Sequence, residues 1–231
     1  MDKMTPKEAW DFAAELIKTH FPDPNGQELL MRIHTKNRDK MLLYPAAVKH
    51  HHNYEGGYIV HVNEVMMGMD SMLNSGFGPD DINWQRCMLA AYVHDFDKLE
   101  RYEVLPFEPP TDKQISFAMK LGVNISKDDS KGSISVKINN AKENVNDEIP
   151  DPNEKVFIYK DNNGHGFDET AKVQQMLVAY RLPLPDEVLH AVSMHHGGYA
   201  PLAKDYHMNM SPMATLLNMA DMASSKIWAL T

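Results

Sequence analysis

The sequence has a single cysteine, Cys87. One thiol excludes an internal disulfide framework and suits a reducing, cytoplasmic setting. Set among apolar neighbours, Cys87 reads as a small core side chain. No apolar run reaches the length of a membrane span. Asp2, Lys3 and Lys7 are followed by no apolar stretch, so no signal peptide is expected. Long basic runs are missing, and the formal net charge is -9. A broad electrostatic grip on duplex nucleic acid is therefore not expected. There is no P-loop. Gly76-Phe77-Gly78 is too short for a dinucleotide-binding turn and runs into Pro79. No Ser-His-Asp order and no candidate covalent nucleophile stand out.

What is present is more specific. A hydrophobic content of 43% supports a full core, and 231 residues suit one domain carrying a large insertion. The 17 Met read as adaptable core packing. The 12 His are many for this length, and their positions carry the information.

Thr5-Pro6-Lys7-Glu8 is a helix start: Thr5 caps, Pro6 fits the first helical position and Glu8 closes a capping box. Trp10, Ala13, Leu16 and Ile17 follow at helical spacing, and Pro22 and Pro24 are expected to end that helix. A second helix is predicted from Gln27 to about Lys36. His20 and His34 read as surface or boundary residues. After Tyr44-Pro45-Ala46-Ala47 come His50-His51-His52 and the turn-forming pair Gly56-Gly57. Helical periodicity returns from Tyr58 to about Leu73, with His61 near its start. A further helix, about Asp81 to Phe96, ends on Ala91-Tyr92-Val93-His94-Asp95-Phe96-Asp97-Lys98.

Residues 103–163 differ in character, being rich in Pro, Asp, Lys and Asn. A short helix is predicted over Lys113 to Leu121. Ser133 to Ile138 alternates with period two, and Val156 to Tyr159 is a second β-like run. The expectation is an inserted flap, able to carry a small β-hairpin, that governs substrate choice. Beyond it, Asn162 to Phe167 reads as a turn containing His165. One helix follows with Ala171, Val173, Met176 and Leu177. The next, Glu187 to about His196, has Asp186 available as a cap and ends on His195-His196-Gly197-Gly198. Ser211-Pro212 starts the last helix, in which Asp221 is a costly residue to bury unless it is paired or metal-bound.

The candidates for chemistry are thus His61, His94, Asp95, His165, His195, His196 and Asp221. Imidazole nitrogen with carboxylate oxygen suits Mn, Fe, Co, Ni or Zn. Lys98 offers positive charge to an anionic substrate beside the metal. An all-α bundle gathers such helix ends in one place.

The order His, His-Asp, further His, Asp resembles the HD-domain superfamily of metal-dependent phosphohydrolases. It is most similar to the catalytic domain of YhaM-type 3′-to-5′ exoribonucleases. The matching stretches are Tyr44-Pro45-Ala46-Ala47 with His51-His52, Gly57 through His61, Leu89 through Lys98, Gly164-His165, His195-His196-Gly197 and Met219-Ala220-Asp221, over roughly residues 42–231. The resemblance implies an HD-type helical bundle and one or two divalent ions, with Mn favoured. It implies a first ion on His61, His94, Asp95 and Asp221, and a second on Asp95 as a bridge with His165, His195 and His196. Lys98 matches a residue that approaches substrate phosphate, and His51 and His52 match a pair expected to contact substrate. The family's exoribonucleases carry an N-terminal OB-type module. The roughly 40 residues ahead of the match read as helices instead. The expected activity is hydrolysis of phosphate ester or anhydride bonds of a nucleotide or short oligonucleotide by metal-activated water. The alternatives are a 3′-to-5′ exonuclease or phosphodiesterase on single-stranded nucleic acid, and a nucleotide-binding regulatory module without turnover. Self-association is left open.

Overall fold

The computed structural model describes residues 4–21, 24–47, 51–105, 108–143, 156–159, 169–196 and 210–228. The chain divides into two compact units, Met1–Tyr102 with Asp161–Thr231, and Glu103–Lys160. Among the described residues the architecture is all-α apart from one two-stranded sheet. Among the described residues, no helix is long and apolar enough to cross a membrane.

In the first unit, α1 (Pro6–His20) begins on Thr5, and both halves of the capping box with Glu8 are made. The helices α2 (Pro24–Lys36) and α3 (Arg38–Met41) follow. Pro24 opens α2 rather than closing α1. Its fixed φ and missing N–H suit the first turn of a helix, where that donor would have no partner. The central element is α4 (Gly57–Asn74). Tyr58, Ile59, Val60, Val62, Val65, Met66 and Met69 are all buried, so it is enclosed on several sides. It packs against α1, α5 (Trp84–Val93) and α11 (Pro212–Lys226), while α10 (Asp186–Met194) packs on α5, α9 (Glu169–Ala179) and α11. Ser211 caps α11 as its sequence predicts, accepting from Ala214 N. Asp186 does not cap α10: Pro185 holds the cap position and Asp186 is the first helical residue.

His34 is buried, not at the surface. Its ring stacks on Trp10 with centroids 4.5 Å apart. Nδ1 meets Tyr92 Oη at 3.0 Å and Nε2 meets the Trp10 carbonyl at 3.0 Å, so both nitrogens are satisfied without water.

In the second unit, α7 (Asp112–Lys120) starts on a Thr111–Gln114 capping box. The run Ser133 to Ile138 is not a strand but part of α8 (Lys131–Glu143). Ile134 and Ile138, one helical turn apart, bury together against Ala118, with Val123 and Ile125 packed alongside. Ser130 Oγ, just before the helix, accepts from Ser133 N at 3.1 Å. Packing and this cap override the β preference of the branched side chains. The sheet instead pairs β1 (Tyr102–Leu105) with β2 (Val156–Tyr159).

Candidate metal centre

Three local devices bring the candidate residues together. The first is the entry to α4. Gly56 has φ +77°, and a Cβ on Gly57 would lie 2.1 Å from the His52 carbonyl oxygen. The turn carrying His51 and His52 therefore sits directly on the first turn of α4. Their rings lie 4.9 Å and 5.4 Å, centroid to centroid, from that of His61. His52 itself has φ +51°, a left-handed conformation that costs a non-glycine residue roughly 1–2 kcal/mol.

The second device is the exit from α5. After Val93 the hydrogen bonds shorten in sequence, with Phe96 N donating to Val93 O, Lys98 N to Asp95 O and Leu99 N to Phe96 O. This tighter winding lets the chain neighbours His94 and Asp95 serve one site. The short α6 (Lys98–Arg101) continues from there. The third device joins α10 to α11. His195 is the C-cap of α10, and its carbonyl accepts from Asn218 Nδ2 at 2.5 Å. Asn218, Asp221 and Ser224 follow at three-residue steps along one face of α11.

His61 Nε2 and His94 Nε2 face each other at 3.2 Å. Asp95 Oδ2 lies 3.3 Å from His61 Nε2 and 3.4 Å from His94 Nε2, and Asp221 Oδ1 lies 3.3 Å from His61 Nε2. His195 Nε2 stands 3.7 Å from Asp95 Oδ1, with no hydrogen-bond partner among the described residues. His61, His94, Asp95 and His195 are almost wholly buried.

The opposite ring nitrogens set the tautomers. His94 Nδ1 donates to the Ala91 carbonyl at 2.8 Å and His195 Nδ1 to the Val192 carbonyl at 2.5 Å. His61 Nδ1 meets Ser224 Oγ at 2.8 Å, and that hydroxyl donates to Glu64 Oε2 at 2.6 Å, so it must accept from His61. All three rings therefore turn an Nε2 lone pair inward. Lone pairs 3.2 Å apart between two carboxylates require a positive centre, either a proton or a cation. The donor set fits a metal ion.

The ionisation behaviour agrees with this. Burial works against a charged His61, but hydrogen bonds with Asp221 and Asp95 outweigh it and raise its pKa to about 9. Burial likewise opposes charge on Asp95, yet Lys98 and His94 hold its pKa well below the usual carboxylate range. Asp221 is also lowered, because its bond to His61 overcomes burial. Burial opposes a charged Lys98, and Asp95 pushes its pKa above the ordinary lysine value. Burial, with positive charge at His61 and Lys98, drops His51 to about 3 and leaves it neutral.

Two groupings can hold ions: His61, His94 and Asp221; and Asp95, His195 and His196. A third, His51, His52 and His61, competes with the first for His61 Nε2, since Nδ1 is committed to Ser224. His51, His52, His61, His94, Asp95, Lys98, His195, His196 and Asp221 thus converge, and His165 lies outside the described residues. Sequence reasoning missed Glu64, Ser224 and Asn218. The available signal was register: Glu64 is three residues after His61, and Ser224 three after Asp221. Comparison with family models, with curated proteins and with solved structures found no match.

Proposed function

We propose that this chain is a divalent-metal phosphohydrolase of the HD-domain type, acting on a nucleotide or short oligonucleotide. The observation that carries the reading is the facing of His61 Nε2 and His94 Nε2 at 3.2 Å between Asp95 and Asp221. One ion would be held by His61, His94, Asp95 and Asp221. A second would be held by Asp95, His195 and His196, with His165 as a further ligand. The resemblance favours Mn. Bound ions would supply Lewis-acid activation of water and neutralise charge at phosphorus.

The chain's own residues supply the rest. Lys98 stays protonated at any working pH, because Asp95 holds its charge. Its Nζ would receive an anionic phosphate and oppose the negative charge that grows there. His51 is neutral, and with its Nδ1 proton given to His52 its Nε2 would accept a hydrogen bond from a substrate hydroxyl. His61, His94 and His195 must be deprotonated at Nε2 to serve as ligands, so activity falls in acid.

The test is metal content per chain, by elemental analysis of protein purified without chelators, together with hydrolysis of mononucleotides and end-labelled oligonucleotides. Bound metal with release of phosphate or pyrophosphate from mononucleotides is the expected result. Stepwise shortening of oligonucleotides moves the assignment to a 3′-to-5′ exonuclease. Metal without hydrolysis moves it to a nucleotide-binding module. No metal, with none taken up on reconstitution, overturns it.

A further inference from the structure

Glu64 lies one turn after His61 on α4, and one of its oxygens does two things. Oε2 accepts from Ser224 Oγ at 2.6 Å and meets His52 Nε2 at 3.0 Å. Each bond fixes a proton further along. Ser224 has a single hydroxyl proton, which goes to Glu64, so Oγ is left to accept from His61 Nδ1. His52 gives its Nε2 proton to Glu64, so its Nδ1 must accept from His51 Nδ1 at 3.1 Å. Both branches end in the same way: the neutral His61 and His51 rings each keep their proton on Nδ1 and leave Nε2 free. Ser224 and His61 are fully buried, the His52 side chain is 2% exposed and that of Glu64 is 22% exposed.

We propose that Glu64 is a positioning residue that sets two rings at once, His61 through Ser224 and His51 through His52. The inference rests on the metal-site reading for its His61 branch, while its His52 branch stands without it. Without the Glu64 oxygen, the Ser224 hydroxyl is free to turn and donate to His61 Nδ1. The neutral ring then keeps its one proton on Nε2, so loss of the imidazolium proton no longer frees that nitrogen for a cation. His52 equally loses the acceptor that selects its tautomer, and His51 loses its fixed partner. Outer partners of metal-binding histidines typically contribute about 10–100-fold to metal affinity.

The experiment uses the full chain and three variants: Glu64→Ala, Glu64→Gln and Ser224→Ala. One readout is the tautomer of His52 in metal-free protein, from two-bond ¹⁵N–¹H couplings in NMR. The other is affinity for Zn²⁺ alone, by competition with a chelating dye. Wild type should show the Nε2–H tautomer at His52. Glu64→Ala should give a tautomer mixture there and about 10–100-fold weaker Zn²⁺ binding. Glu64→Gln keeps an acceptor oxygen and should restore the His52 tautomer, with Zn²⁺ affinity within a few-fold of wild type. Ser224→Ala cuts one branch only, so Zn²⁺ affinity should fall while the His52 tautomer is unchanged. Glu64→Ala with wild-type affinity and an unchanged His52 tautomer overturns the proposal. If Glu64→Ala does not fold, Ser224→Ala with wild-type Zn²⁺ affinity overturns the His61 branch, and a wild-type His52 that is not the Nε2–H tautomer overturns the other. A wild-type chain that takes up no Zn²⁺ overturns the metal reading and the His61 branch with it, while the His52 tautomer still decides the other branch.

Discussion

Lys98 Nζ lies 2.5 Å from Asp95 Oδ2, one helical turn along the chain, so the central carboxylate has a fixed positive partner of its own. The Asp95 side chain is 3% exposed and that of Lys98 15%, which makes this a buried ion pair. Cations in the site would neutralise the same carboxylate. Lys98→Met should therefore destabilise metal-free protein by roughly 3 kcal/mol, the usual cost of stranding one partner of a buried pair. With Zn²⁺ or Mn²⁺ present the loss should be smaller. Urea unfolding with chelator and with metal measures both, and an equal loss in the two conditions contradicts the shared neutralisation.

His61 sets an alkaline limit on the metal-free protein. Its pKa is about 9 when folded, against 6.5 for an ordinary histidine. A raised value means that the stabilisation is fully present below pH 6.5 and is lost as pH rises through 9. The amount is about 3 kcal/mol by linkage. A cation at this site displaces that proton, so metal affinity should rise with pH up to the same point and binding should release protons. Unfolding with chelator across this range, and calorimetry in buffers of different ionisation enthalpy, check the two halves separately.

His34 acts in the opposite direction, away from the site. Burial lowers its pKa to about 4, against the Trp10 carbonyl and Asp11, which both favour the charged ring. Below pH 6.5 the unfolded chain gains a proton that the folded chain refuses, so stability falls as pH drops towards 4. The loss attributable to this group is about 2–3 kcal/mol. His34→Phe keeps a ring against Trp10 but removes the titration. It should lower stability at neutral pH yet flatten the decline below it. An unchanged slope would show that other groups set the acid limit.

The glycines at positions 57 and 76 should respond very differently to alanine. A Cβ at Gly57 meets backbone, the His52 carbonyl at 2.1 Å, and cannot be accommodated by rotating a side chain. A Cβ at Gly76 meets nothing within 4 Å, leaving only the strain of φ +74°. Gly76→Ala should cost roughly 1 kcal/mol. Gly57→Ala should cost about 3 kcal/mol or more, since the backbone itself must shift. It should also displace His51 and His52 from His61. Thermal denaturation compares the costs, and His51 and His52 ring resonances report the displacement.

Legibility in the sequence follows the range of the interaction involved. The Thr5–Glu8 box and the Ser211-Pro212 start act within a turn, and both form as their local sequence predicts. Ser133 to Ile138 satisfied a strand pattern just as locally, but Ala118 and the Ser130 cap decided for a helix. The signal for that cap, a serine three residues before another serine, was weaker than the alternation it opposed. The histidines and Asp95 were conspicuous as residue types, and their convergence follows from where helices end. Glu64 and Ser224 were not conspicuous. A glutamate and a serine on helices are ordinary until α4 and α11 pack and bring Oγ within 2.6 Å of Oε2. The burial of His34 is hidden in the sequence for the same reason, because it depends on Trp10 and Tyr92.

The sheet in this protein pairs Tyr102–Leu105 with Val156–Tyr159, the two margins of the 103–160 unit. A segment that leaves and re-enters the chain through adjacent strands works as a cassette. Its interior can lengthen, shorten or be replaced at little entropic cost, because the pairing already holds its ends together. Changes to the interior of the segment would leave its paired strand ends where they are.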